Sequence, residues 1–128
     1  MKKKLKSLLF ACLGLSITTL VFAGVSTVIT VPDKPGWPLA IDIWETGCIL
    51  NYRAPKNNGG EPVTNYYIEY RSNWELSWKF RGTSKTTEYQ FKGMKENTQS
   101  QFRINASNSA GISNPSDYSN FITFRSGF

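Results

Sequence analysis

From Pro32 to the C-terminus, no segment has the i, i+3, i+4 spacing of apolar residues that is typical of an amphipathic helix. Short runs of alternating apolar and polar residues, rich in β-branched and aromatic side chains, are instead separated by clusters of Gly, Pro and Asn. These runs predict seven strands, at residues 39–43, 48–53, 63–71, 77–81, 87–91, 98–105 and 120–125. Seven short strands at this spacing, without helices, predict an all-β, antiparallel, immunoglobulin-like sandwich.

The alternation within three of the strands also predicts which side chains face the interior. The predicted core residues are Cys48, Leu50, Tyr52, Tyr66, Ile68, Tyr70, Phe102, Ile104 and Ala106. If the sandwich is correct, residues from all three strands must meet in one cluster.

The N-terminus has the three parts of a secretory signal. Four lysines stand within the first six residues, an apolar stretch runs from residue 8 to 22, and Val21-Phe22-Ala23 places small residues at the positions that a signal peptidase reads. We therefore expect cleavage after Ala23, a loose mature N-terminal segment over residues 24–33, one domain over residues 34–125, and a secreted, extracellular product. The alternative is an uncleaved membrane anchor formed by residues 8–31, since no charge occurs between residues 7 and 31.

The positive charge does not indicate nucleic-acid binding. The chain has 15 Lys and Arg against 9 Asp and Glu, but four of the cations lie in the leader, so the mature chain has 11 cations, 9 acids and a net charge of +2. Dispersed charges of this kind lack the basic stripe that neutralises phosphates. Contact with a membrane is expected only transiently, through the signal, or through the alternative anchor.

Residue types argue against catalysis. Histidine is absent, which excludes His-based acid–base, nucleophilic and zinc chemistry. Cys48 is the one cysteine of the predicted mature chain, with the parity of a core residue, and the acids are scattered singly. We therefore expect no enzyme, no metal and no cofactor.

Four segments of residues 35–124 resemble fibronectin type III domains, particularly those of titin and twitchin. They are residues 50–55 (LNYRAP), 58–70 (NGGEPVTNYYIEY), 102–108 (FRINASN) and 111–116 (GISNPS). Compared with the pattern of the family it resembles, this sequence differs at two positions. Tyr52 stands where the family has a core tryptophan, so its hydroxyl must find a partner. Ser100 stands at the tyrosine-corner position, so Ser100→Tyr is expected to stabilise the domain.

Candidate contact residues lie in two loops that this topology brings to one end, the B–C loop (56–62) and the F–G loop (108–114). They are Asn57, Asn58, Glu61, Asn108, Ile112 and Asn114. Trp44 with Ile49 is a further candidate, as an outward apolar patch, unless these side chains lie flat over strand edges. Asn105-Ala106-Ser107 is a formal N-glycosylation sequon with Asn105 facing outward.

The sequence favours an exported, non-enzymatic module for protein interaction or adhesion, with a protein as its partner. Two alternatives stay open. One is a structural spacer or a fragment of a muscle-type array, which the titin resemblance implies. The other is an ancillary domain of an extracellular carbohydrate-active system, in which Trp37 or Trp74 stacks on a sugar.

Overall fold

The computed structural model describes residues 17–22 and 25–127, and every regular element within these residues is a β-strand. The strands are β1 (Ile17–Phe22), β2 (Val25–Thr30), β3 (Leu39–Trp44), β4 (Gly47–Asn51), β5 (Asn65–Ser72), β6 (Lys79–Ser84), β7 (Glu88–Lys92), β8 (Gln99–Asn108), β9 (Gly111–Ile112) and β10 (Ile122–Thr123). The all-β fold class is therefore confirmed.

Two antiparallel sheets form the domain. One has the order β3-β4-β7, and the other has the order β10-β8-β5-β6, with β9 also paired to β8. Each of the seven predicted strands has a counterpart, β3 to β8 and β10, and all pair antiparallel; β1, β2 and β9 lie outside the predicted strands. The predicted loop over residues 108–115 is instead a tight hairpin between β8 and β9, since Asn108 still pairs with Gly111. Gly111 adopts a positive φ of 141°, which a side chain rarely tolerates.

The core lies between the sheets and combines residues from both. Leu50, Ile68 and Phe102 are fully buried in one cluster, as the alternation predicts. The Phe91 ring packs edge-on against Phe102, with 4.7 Å between centroids, and stacks on Phe124 at 6.1 Å. Such aromatic pairs stabilise the fold beyond the burial of their apolar area, so this cluster helps to hold the two sheets together.

The position of β6 differs from the prediction of residues 77–81. It begins at Lys79 because Glu75 first closes a turn after β5. The Ser72 amide donates to Glu75 Oε1 at 2.9 Å, and the Glu75 amide donates to the Ser72 carbonyl at 3.0 Å. These local bonds hold residues 73–78 out of the ladder.

The last predicted strand, residues 120–125, is reduced to the two residues of β10 because a row of serines precedes it. Each of these serines donates its amide to a β8 carbonyl and accepts the amide of the same β8 residue on its Oγ. The pairs are Ser113 with Ala106, Ser116 with Ile104 and Ser119 with Phe102, at 2.7 to 3.0 Å. In this serine ladder, three residues of the chain span two residues of β8, with Oγ taking the place of a strand carbonyl.

The predicted leader lies mostly outside the described residues, as do the cleavage position at Ala23 and the N-terminal lysines. Residues Ile17–Phe22 are described, as β1, which pairs with β2 over six positions. The expectation of a loose segment after the leader is wrong for β2, whose end is attached to the domain. Thr30 donates its amide to the Gly59 carbonyl at 2.9 Å, and Ile29 is buried.

The described part of the chain contains no helix of the length and apolarity that crossing a bilayer requires.

Candidate functional site

The two loops predicted to meet do meet at one end of the sandwich. Asn108 Nδ2 donates to the Asn58 carbonyl at 2.8 Å, and Ser109 Oγ donates to the Glu61 carboxylate. The antiparallel pairing of β5 with β8 sets Asn65 opposite Ser107, which brings the start of β5 and the end of β8, and hence the two loops, together. The carboxylate of Glu61 therefore links the two loops.

Asn108 is a structural residue at this end. It is 7% exposed; its Nδ2 also donates to the Thr30 carbonyl at 2.7 Å, and its Oδ1 accepts the Ala110 amide at 2.8 Å. These bonds use the side chain to join the N-terminal segment to both loops. Asn108 thus supports the surface from beneath, where the sequence predicts a contact residue.

Asn57 and Asn58 shape their own loop. Asn57 Oδ1 accepts the Gly59 amide and Asn58 Oδ1 accepts the Gly60 amide, both at 2.9 Å. Such side-chain turns tolerate left-handed backbone at the following residue. Gly59 has a φ of +82°, and a Cβ there would stand 2.0 Å from the Thr30 carbonyl oxygen. Only glycine permits the N-terminal segment to approach so closely.

An open cleft of about 1070 Å³ lies beside these loops. It is lined by residues 30–37, by Arg53, Ala54 and Lys56, and by three residues of the β9 region and beyond, Ile112, Asn114 and Asp117. Ile112 is 51% exposed and Trp37 is 49% exposed on its walls, and Asn114 is exposed beside them. The predicted residues Ile112 and Asn114 therefore line a concave surface to which Trp37 contributes.

The cleft carries both signs of charge, but its acids are partly occupied. Lys34 Nζ and Asp117 Oδ1 form an ion pair at 2.9 Å across the opening, with both side chains more than half exposed. Exposed pairs of this kind contribute little to stability and are readily exchanged. Arg53 and Lys56 are exposed cations that also line the cleft, and Asp33 is an exposed acid there. The arrangement suits an apolar ligand with acidic groups.

The predicted apolar patch on the outer face of the smaller sheet is only partly exposed. Trp44 is half-buried and lies over Gly47, its pairing partner; a Cβ on that glycine would stand 2.9 Å from Trp44 Cζ2. Ile49 is also half-buried, whereas Ile41 is 58% exposed. Trp44 thus packs flat over its own hairpin.

Asn105 faces outward but is engaged. Its Nδ2, the atom that a glycan would modify, donates to the Ser113 carbonyl at 2.9 Å. Glycosylation requires this bond of the β8–β9 hairpin to open first. The geometry therefore disfavours use of the predicted sequon.

The outer face of the larger sheet carries a cation–aromatic stack that the sequence analysis missed. The guanidinium groups of Arg71 and Arg103 lie 4.4 and 4.6 Å from the centroid of the Trp78 ring. Arg103 Nε also donates to Glu69 Oε1 at 2.7 Å. Cations over a tryptophan face are attracted by its negative π-cloud. The alternation of outward residues along β5 and β8 was the available signal.

The buried reactive groups are chemically quiet. Burial raises the pKa of the Cys48 thiol to about 12, so it stays protonated in the core. Burial also raises the pKa of Tyr52 to about 12, and its hydroxyl donates to the Thr86 carbonyl at 2.9 Å. Tyr52 thus finds the partner that its position demands. Within the described residues, no three acidic or thiol side chains converge as metal ligands would.

Two antiparallel sheets packed face to face around one core define an immunoglobulin-like sandwich module. The family model for the fibronectin type III domain matches residues 33–122. The chain belongs to the fibronectin type III family. Domains of this family are generally non-catalytic modules.

Curated relatives are far longer than this chain. Slow-type myosin-binding protein C of Homo sapiens is 33% identical over 91 residues, which is 70% of this chain and 8% of the relative. Protein sax-3 of Caenorhabditis elegans is 33% identical over 94 residues, 72% of this chain and 7% of the relative. The solved structure of titin module A71 from human cardiac muscle has a TM-score of 0.67 at 32% identity, covering 73% of this chain and 93% of the module. The chain spans less than a tenth of either curated relative.

Proposed function

We propose that this chain is an exported, non-enzymatic recognition and adhesion module that binds a protein through the cleft beside its B–C loop. The observation that carries the proposal is the exposure of Trp37 and Ile112, about half of each side chain, in the lining of one open cleft. Aromatic and aliphatic groups within a polar rim are the usual anchors of protein contacts.

The proposed ligand is an extended segment with apolar and acidic side chains. Its apolar groups lie against Trp37 and Ile112, and its carboxylates meet Arg53 and Lys56. Lys34 pairs with Asp117, which leaves Arg53 and Lys56 against one exposed acid of the lining, Asp33. Charge complementarity of this kind supplies selectivity and a faster association rate more than affinity.

Point variants test the cleft better than loop replacement. Replacing residues 108–114 would also remove Asn108 and Ser113, which hold the fold. The binding variant is the double change Trp37→Ala and Ile112→Ser, and the matched control is Trp74→Ala, an exposed tryptophan at the opposite end.

Affinity capture from the extracellular medium, followed by binding measurements with each purified species, reads out the result. We expect the control to retain a species that the double variant loses, at an unchanged unfolding midpoint. Equal affinity of wild type and double variant for every recovered species contradicts the cleft as the binding surface.

Export has its own test. The intact mass of the protein recovered from the medium is expected to lack residues 1–23. Retention of Met1 inside the cell contradicts export and favours the alternative, a structural spacer. That alternative is supported by the likeness to a titin module and to myosin-binding protein C.

A further inference from the structure

The turn between β5 and β6 presents two large apolar side chains to solvent at the end of the domain opposite the cleft. Trp74 is 71% exposed and Leu76 is 91% exposed, although both belong to a hydrogen-bonded turn. We call residues 73–78 the apolar tip. Neither side chain contributes to the core or to the cleft. Neither the stability of the fold nor binding in the cleft therefore explains why these two positions are apolar.

The tip is held rigid by polar groups that turn inward. Glu75, its one acidic residue, accepts the Ser72 amide and pairs with Lys79 at 2.5 Å, which leaves its side chain 20% exposed. Arg71 donates from Nη1 to the Leu76 carbonyl at 3.1 Å. The charges thus fold back against the domain, while Trp74 and Leu76 point out of it.

Positive charge surrounds the base of the tip. Ser72 pairs with Ser100 at the start of β8, and Asn73 Nδ2 donates to Gln99 Oε1 at 3.1 Å, so residues 93–98 lie beside the tip. The Phe124 amide donates to the Thr98 carbonyl, which brings the C-terminal residues to the same end. Lys79 is paired with Glu75; the other exposed cations here are Lys92, Lys95 and Arg125, and the exposed acids are Glu45 and Glu96. The base of the tip is therefore net positive.

We propose that the apolar tip inserts into the surface of a lipid bilayer containing anionic headgroups. Trp74 would lie at the headgroup level, where amphipathic indole rings are stabilised, and Leu76 would enter the acyl boundary. The surrounding lysines would contact the headgroup charge, which attracts basic groups near the surface. This interaction is separate from the cleft and from the leader.

The shape of the tip favours lipid over a folded protein as the occupant. Leu76, which is 91% exposed, projects into solvent, and neither it nor Trp74 lines the cleft. Protein interfaces rely on shape complementarity over a patch of many residues. A bilayer accommodates a narrow apolar projection without a matching cavity, and insertion of such groups scales with the apolar area buried.

Vesicles of phosphatidylcholine with about 30% phosphatidylserine test the proposal on the full chain. The double variant Trp74→Ser and Leu76→Ser removes both inserting groups. The control, Trp37→Ser, removes an exposed tryptophan at the other end. Tryptophan emission reports on the domain alone, because residues 1–23 contain no tryptophan. Subtracting the spectrum of a Trp74→Phe variant isolates the emission of Trp74.

We expect the Trp74 emission to shift to the blue with these vesicles and to be quenched by brominated lipid. We also expect the double variant to partition at least about tenfold more weakly than wild type and control. Unchanged Trp74 emission, or equal partitioning of the double variant and the control, overturns the proposal. So does wild-type self-association that the double variant abolishes without any vesicle binding, since the tip would then be a protein contact.

Discussion

Removal of one atom, the hydroxyl oxygen of Ser100, is expected to stabilise the domain, whereas most substitutions lower stability. The Ser100 side chain is fully buried, and within the described structure its Oγ has no hydrogen-bond partner. Ser100→Ala removes this hydroxyl and leaves the backbone pairs of Ser100 with Ser72 and Ile122 intact. A serine-to-alanine change in a strand is usually close to neutral, so a gain would be specific to this site.

The magnitude follows from desolvation. A buried hydroxyl without a partner costs about 1–3 kcal/mol of folding free energy. Removing the oxygen also removes a few dispersion contacts, each worth about 0.1–0.2 kcal/mol. The net expectation is that Ser100→Ala raises the free energy of unfolding by about 1 kcal/mol, which raises Tm by roughly 4–8 °C in a domain of this size.

Ser116→Ala is the matched control, because it deletes the same atom where that atom is bonded. The Ser116 Oγ accepts the buried Ile104 amide, so its removal is expected to lower the free energy of unfolding by about 1–3 kcal/mol. Urea and thermal unfolding of both variants measure the two signs. An unchanged or lower midpoint for Ser100→Ala would refute the argument and show that an ordered water satisfies the hydroxyl. Ser100→Tyr, which restores the family residue, is expected to stabilise by about 1–2 kcal/mol, and a lower midpoint would mean that the ring does not fit.

Three further predictions concern other side chains. Asn108→Ala is expected to lower the free energy of unfolding by about 2–3 kcal/mol, since it leaves the Ala110 amide unpaired; a change within about 0.5 kcal/mol in urea titration would contradict its structural role. Cys48 is expected to react with a thiol reagent at about pH 8 only after unfolding, since burial raises its pKa to about 12, and fast labelling of the native protein would show an accessible thiol. The Lys79 hydrogen bond lowers the pKa of Glu75, so its stabilising contribution is present above the ordinary glutamate range and is lost as the pH falls through the lowered pKa. The Tm difference between wild type and Glu75→Gln is therefore expected to vanish in acid, and a constant difference would exclude this linkage.

The alternation of side chains accounts for what was predictable. Leu50, Ile68 and Phe102 each belong to a series of apolar residues that recurs at every second position of a strand. Because side chains alternate between the two faces of a strand, such a series identifies the face that packs in the core. The meeting of the B–C and F–G loops follows from the same strand order. Both inferences depend on local sequence and on few possible topologies.

Other features depend on contacts between distant residues, which a single sequence does not encode locally. Asn108 is outside any predicted core, yet it binds Thr30, 78 positions away. The serine ladder has a period of three against a strand period of two, so neither helix nor strand templates recognise it. The spacing of Ser113, Ser116 and Ser119 was the visible signal. The late start of β6 reflects the Glu75 turn, in which a side chain competes with the ladder for a backbone amide.

The serine ladder runs along the outer edge of β8. It accepts the β8 amides on hydroxyl oxygens where a further strand would use carbonyls, and Pro115 within it has no amide to donate. An approaching foreign strand finds neither a regular row of donors nor the spacing it needs for pairing. Growth of the sheet by addition of strands therefore stops at this margin. Copies of such a domain can be crowded on a surface, or strung end to end, without fusing there into a common sheet.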